Sequence, residues 1–144
     1  MTTSIRAARH ADAGALASLS GQLGYPADAD TIVRRLDELT TNHVGEVLVA
    51  EAEDGAVVGW AEASVQRHLV HDTRAELAGL IIADGARNRG VGTALLRVVE
   101  AWARERGLSE LIVRSNVVRE RAHRFYLREG YAEKKRQAVF SRRL

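Results

Sequence analysis

The chain has 144 residues, 46% of them hydrophobic and only 5% aromatic, which fits one domain over residues 1–144 whose interior is filled mainly by Ala, Leu and Val. It contains no cysteine, which excludes a disulfide framework, a thiolate zinc site and a cysteine nucleophile, and it fits a reducing cytoplasm. A formal charge of +2, spread thinly and without stacking aromatics, argues against nucleic-acid binding, and no apolar run has transmembrane length or the form of a signal peptide.

Residues 4–8 are predicted as a short strand. A helix starts near His10-Ala11-Asp12, with Ala15, Leu16, Leu19 and Leu23 at helical spacing, and Gly24-Tyr25-Pro26 ends it. Asp28 or Asp30 caps a second helix striped by Ile32, Val33, Leu36 and Leu39. Residues 47–53 and 56–66 read as a hairpin closed by Asp54-Gly55, with Gly59 marking a bulge or a close approach of backbone. Residues 67–73 read as a polar loop carrying His68 and His71, without the ligand cluster a metal needs.

Residues 75–93 organise the rest. Leu77, Leu80, Ile81 and Ile82 form a strand, Asp84-Gly85 turns it, and Arg87-Asn88-Arg89-Gly90-Val91-Gly92 leads into a helix from Thr93 to Arg106. A glycine-bearing loop that delivers a helix N-terminus is suited to an anion. The first-turn amides lack intrahelical partners, the dipole is positive there, and Gly90 and Gly92 let a phosphate reach the backbone. Arg87 and Arg89 add charged donors. The loop has neither the Gly-Lys-Ser/Thr of a Walker motif nor the three-glycine dinucleotide fingerprint. Val91, Leu95, Val98, Val99 and Trp102 form the buried stripe of this helix, which Gly107 ends. A strand over residues 108–114, a helix over about 119–129 stopped by Gly130, and two short closing strands over 131–135 and 137–141 complete a single α+β unit.

Residues 87–92 fit Arg/Gln-x-x-Gly-x-Gly/Ala, and Ala122-His123-Arg124-Phe125-Tyr126-Leu127-Arg128-Glu129-Gly130-Tyr131 is similar to Ala-x-x-Phe-Tyr-x-x-x-Gly-Phe/Tyr. Together, in that order and across nearly the whole chain, they resemble the Gcn5-related N-acetyltransferases (GNAT), in particular a bacterial subgroup labelled small-amine or aminoglycoside-type. The resemblance implies a three-layer fold: a mixed, mostly antiparallel sheet flanked by about four helices. It implies acetyl-CoA as co-substrate and no metal. The pyrophosphate would lie on Arg87, Asn88, Arg89, Gly90, Val91, Gly92 and Thr93, and the pantetheine arm along Leu80, Ile81 and Ile82, with Asn116, Ala122 and Tyr126 completing the cofactor contacts. Many relatives have an Asn three residues before the motif alanine, where this chain has Arg119. The two early helices would set acceptor specificity, and a homodimer is implied by analogy.

Acetyl transfer to an amine needs a neutral nitrogen, and a lysine-like amine with a pKa of about 10.4 is protonated at neutral pH. A base must take that proton. By its spacing to Arg87 the family parallel points to Glu76, with Glu51, Glu62 and water as alternatives. Tyr126 is implied as the acid toward the coenzyme A sulfur, and a strand amide near Leu80 or Ile81 as the oxyanion donor. The function so implied is acetyl-CoA-dependent N-acetylation of a primary amine on a small molecule, in a ternary complex. Protein or peptide N-acetylation and a non-catalytic acyl-CoA sensor are the alternatives.

Overall fold

In the computed structural model, which describes residues 2–42 and 44–144, five strands pair in sequence order into one sheet. They are β1 (Thr3–Ala7), β2 (Gly45–Ala52), β3 (Val57–His68), β4 (His71–Ile82) and β5 (Leu111–Val113). The pairings from β1 to β4 are antiparallel and β5 joins β4 in parallel, so the sheet is mixed. The described residues also form four α-helices: α1 (Ala13–Gln22), α2 (Ala29–Thr41), α3 (Val91–Glu105) and α4 (Glu120–Arg128). The chain divides into two units, one running to Val113 and the other Arg114–Leu144.

Within the first unit, strand alternation sorts the sheet into two faces. Ala50, Ala61, Ala63 and Ala75 are all fully buried on one of them. This alanine floor receives α3: a Cβ added at Gly59 would lie 3.3 Å from Leu95 Cδ1. The apolar stripe of α3 buries Leu95, Leu96 and Val99 completely and Trp102 almost so. Each such side chain is worth about 1.5–3 kcal/mol of burial free energy. The opposite face carries Trp60, Glu62 and Ser64 of β3. There α2 packs against β2, since a Cβ at Gly45, which pairs with Ser64, would lie 3.4 Å from Leu39 Cδ2. Helix α1 contacts α2, β3 and β4.

The predicted punctuation is present. Asp28, rather than Asp30, caps α2 by accepting the Thr31 amide at 2.7 Å. Gly24, Gly55 and Gly107 all take positive φ where α1, the β2–β3 turn and α3 end. Gly59 is a close approach, with a Cβ there falling 3.0 Å from the Ile81 carbonyl oxygen. One ion-pair cluster ties the first strand down. The Arg6 guanidinium donates to both carboxylate oxygens of buried Asp12, at 2.8 and 2.9 Å, and to Glu51.

Two expectations are corrected. Residues 67–73 are not a loop: β3 runs to His68, β4 begins at His71, and only Leu69-Val70 turn between them. Polar composition suggested a loop, yet a hairpin that projects from its sheet needs no apolar face. The closing strands over 131–135 and 137–141 do not form, and the chain after Gly130 has no regular structure. Lys134-Lys135-Arg136-Gln137 puts four polar residues in a row, and residues 132–144 are all exposed. With no face to bury, extended chain has little to offset the entropy of ordering it.

Candidate active site

The site begins where β4 outruns its parallel neighbour. β5 pairs with Ala75, Glu76 and Leu77 only, whereas β4 continues to Ile82. On that side Leu80, Ile81 and Ile82 extend past the ladder, leaving an edge that an amide-bearing arm can join as an added strand. β4 then enters a single 3-10 turn, Asp84–Ala86, and the loop that feeds α3.

The loop's backbone supports an anion. Asn88 has φ +63° and Gly90, the residue that caps α3, has φ +81°. Left-handed residues on either side of Arg89 turn successive amides toward a common side, the arrangement that makes an anion-binding concavity. The first helical bond runs from the Ala94 amide to the Gly90 carbonyl at 3.0 Å, so the amides of Val91, Gly92 and Thr93 precede the helix's own ladder. Val91 anchors the turn, being 2% exposed. Asn88, Arg89 and Gly90 are exposed, and a Cβ on Gly90 would meet nothing within 4 Å, so the concavity opens outward. Arg87 is held by Asp84 at 2.8 Å, which leaves Arg89 as the more available guanidinium of the two. Backbone and charge therefore fit a diphosphate.

The carboxylates expected near the chemistry separate into two groups. Glu51 is bound by Arg6 at the far end of the sheet. Glu76 and Glu62 share a face at the β3–β4 ladder: Glu76 pairs with Ser64, two residues from Glu62. Glu62 is half-buried, and burial first, then the Glu76 charge, pushes its carboxyl above the usual range. Beside it the ladder slips. Glu62 pairs with Gly79 and Ala63 with Leu77, so Ala78 stands outside the register as a bulge. The signal for this bulge was Gly79, where a Cβ would lie 2.8 Å from Trp60 Cζ3. That clash depends on a neighbour no periodicity names.

In the second unit, Asn116 closes an Asx turn by accepting the Val118 amide at 3.1 Å. Ala122 and Tyr126 lie on α4, both half-buried. Tyr126 meets Phe125 and Tyr131 edge-on at 5.2 and 5.9 Å. Burial pushes its phenol up to about 12, against a smaller opposing effect from Arg119. A phenol in that range stays protonated at neutral pH and can donate.

A sequence profile described as the acetyltransferase (GNAT) family matches residues 16–131. This chain is a GNAT protein. It is 36% identical over 140 residues to the aminoglycoside N(6')-acetyltransferase type 1 of Stenotrophomonas maltophilia, a match covering 94% of this chain and 90% of that protein. It is 37% identical over 81 residues to the aminoalkylphosphonate N-acetyltransferase of Salmonella typhimurium, covering 56% of this chain and 53% of the relative. Among solved structures, aminoglycoside 6'-N-acetyltransferase AAC(6')-Ih from Acinetobacter baumannii superposes with a TM-score of 0.87 at 20% identity over 99% of both chains. AAC(6')-Iy, solved with the bisubstrate analogue CoA-S-monomethyl-acetylneamine, gives 0.86 at 20% identity over the whole of both chains. The GNAT fold and an N-acetyltransferase activity are thereby shown for this chain.

Proposed function

We propose that this GNAT enzyme transfers the acetyl group of acetyl-CoA to a primary amine of a small, cationic molecule of the aminoglycoside or aminoalkyl class. The observation that carries the reading is the loop with left-handed Asn88 and Gly90 at the start of α3, next to the end of β4 that extends past its ladder with β5. In this reading the loop amides and Arg89 hold the diphosphate, and Leu80 to Ile82 align the arm that ends in the thioester. By the family parallel, Asn116 and Ala122 would complete the cofactor contacts. The family match spans both units, which supports their acting as one catalytic domain over residues 1–144. The acceptor class follows the relatives' acceptors, and the paired carboxylates of Glu62 and Glu76 suit an ammonium-bearing ligand.

The thioester supplies an activated carbonyl. The chain's residues manage protons and geometry around it. A carboxylate of the Glu62–Glu76 pair takes a proton from the acceptor ammonium, and the freed nitrogen attacks. A strand amide beside the Ala78 bulge stabilises the oxyanion. As the C–N bond forms and the C–S bond breaks, Tyr126 donates its proton to the departing sulfur. We assign the enzyme to the cytoplasm, where acetyl-CoA is available, and to a homodimer by analogy with its family.

The test is a thiol-release assay with acetyl-CoA and a panel of neamine, aminoethylphosphonate, polyamines and lysine peptides, beside calorimetry of acetyl-CoA alone. Turnover of the small amines is expected. Turnover of peptides only, or tight acetyl-CoA binding with no turnover, would replace this reading.

A further inference from the structure

We propose that Glu62, rather than Glu76, is the catalytic base that takes the proton from the acceptor's ammonium, with Glu76 as the positioning residue beside it. The inference rests on the acetyltransferase reading above and assigns roles within its site.

The register distinguishes the two carboxylates. Glu62 lies directly opposite Gly79, at the level where β4 leaves its ladder with β5 and one residue pair from Leu80. Across from it there is no side chain, because Gly79 leaves the space to the Trp60 ring. The Ala78 bulge adjoins this pair, and bulges free a backbone group from the ladder. Base and oxyanion donor therefore meet at one point of the sheet. Glu76 lies farther back, at a level where β4 is still paired on both sides, with Ser64 and Ile112.

The surroundings also differ. On the shared face β3 carries Trp60, Ser64 and Gln66 around Glu62, and β2 carries Val47 opposite it. Helix α1, which packs on β3 and β4, has no ionisable residue within Ala13–Gln22. The charged residues of α2, namely Asp30, Arg34, Arg35, Asp37 and Glu38, are all exposed. Among the described residues, the register puts Glu76 and, one pair beyond it, Arg74 of β4 on the face of Glu62. Arg74 adjoins Glu76 and points a guanidinium nitrogen toward Glu110 at 3.7 Å. Glu76 thus separates the cation from Glu62. The half-buried carboxyl of Glu62 faces a like charge, and both influences favour its holding a proton. A carboxyl shifted in this direction is a stronger base than a free one.

The proton balance is simple. The Glu62 carboxylate accepts one proton from the ammonium and later returns it to water; the neutral nitrogen forms the C–N bond and, as the C–S bond breaks, sheds a second proton that restores the phenol of Tyr126 after it has protonated the departing sulfur. Below the Glu62 pKa the carboxyl is already protonated and cannot accept, so turnover rises with pH through that value.

The experiment is the pH dependence of kcat at saturating acetyl-CoA, with neamine as acceptor, for the wild type, Glu62→Gln, Glu62→Asp and Glu76→Gln. Glu62→Gln is expected to lower kcat at pH 7 by about 100-fold and to remove the ascending limb, with acetyl-CoA affinity unchanged. Glu62→Asp keeps the limb at a reduced rate. Glu76→Gln keeps the limb and moves it to lower pH, because the like charge is gone; loss of a merely structural contact would lower the rate without that shift. An ascending limb that survives in Glu62→Gln, or that disappears in Glu76→Gln, overturns the proposal. So does a misfolded Glu62→Gln accompanied by an unshifted limb in Glu76→Gln. A wild type that binds acetyl-CoA but acetylates no amine removes the acetyltransferase reading and this assignment with it, a result distinct from a working enzyme with the wrong base.

Discussion

Replacing Gly90 by Ala tests the loop with little collateral change. At φ +81° an L-residue is strained by roughly 1–2 kcal/mol. The added methyl would meet nothing within 4 Å, so this conformational cost is the whole of the direct effect. It can appear in two places. If the loop keeps its left-handed turn, the fold loses about 1–2 kcal/mol, and Tm falls by about 2–4 °C per kcal/mol for a chain of this size. If the free loop relaxes, the same energy is spent on binding, and acetyl-CoA affinity falls by about 5–30-fold. The two losses have one source and should sum to about 1–2 kcal/mol. Calorimetric titration with acetyl-CoA and a thermal melt of the same sample measure both. Gly90→Asn, a residue that tolerates the left-handed region, should recover most of the loss. A Gly90→Ala variant with wild-type affinity and wild-type Tm would refute the reasoning.

Other outcomes follow from the same structure. Tyr126→Phe should lower kcat with little effect on acetyl-CoA affinity, as single-turnover and binding measurements would show; unchanged turnover removes Tyr126 from the acid role. Asp12→Ala leaves the Arg6 guanidinium with Glu51 alone and should destabilise the fold by about 2–4 kcal/mol in urea titration. Hydrogen bonding from Arg6 holds the Asp12 carboxyl below its usual value of 3.8. Its contribution is therefore fully present above that value and is lost as pH falls through the lower, folded-state pKa, so the wild type and Asp12→Ala should converge in stability in strong acid. Glu62 has the opposite sign. Its raised pKa means the folded state binds the extra proton, so stability falls as pH rises from its usual value of 4.5 through the folded one. Glu62→Gln should therefore melt at a higher temperature than the wild type at pH 7 while losing activity, and a lower melting temperature would contradict that sign.

The parts of the molecule legible in the sequence are those governed by local rules. The strand, turn, loop and helix from Leu77 to Trp102 could be read from apolar spacing and two glycines, and Asp28 could be read as a cap because its partner is three residues away. The hairpin from Arg67 to Thr73 could not, because its strands are polar and hold together by ladder bonds rather than by a buried face. The residues after Gly130 erred in the other direction. Val139 and Phe140 have strand composition, but each is about 90% exposed, and composition alone does not supply a partner. At the candidate site, the turn of the loop before α3 was visible because its glycines report backbone geometry. The pairing of Glu62 with Gly79 was not, since a bulge shifts register by one residue and leaves no periodic trace.

The alanine floor under α3 has a consequence for how this enzyme can change. Ala50, Ala61, Ala63 and Ala75 are fully buried beneath a close-packed helix, so any larger side chain there must displace α3, and the anion loop moves with that helix's first turn. The other side of the sheet is more tolerant of substitution, because α2 buries no residue completely and can exchange its side chains cheaply. The fold is thus conservative on the face that α3 covers and permissive on the face that α2 covers, a difference set by nothing larger than four methyl groups.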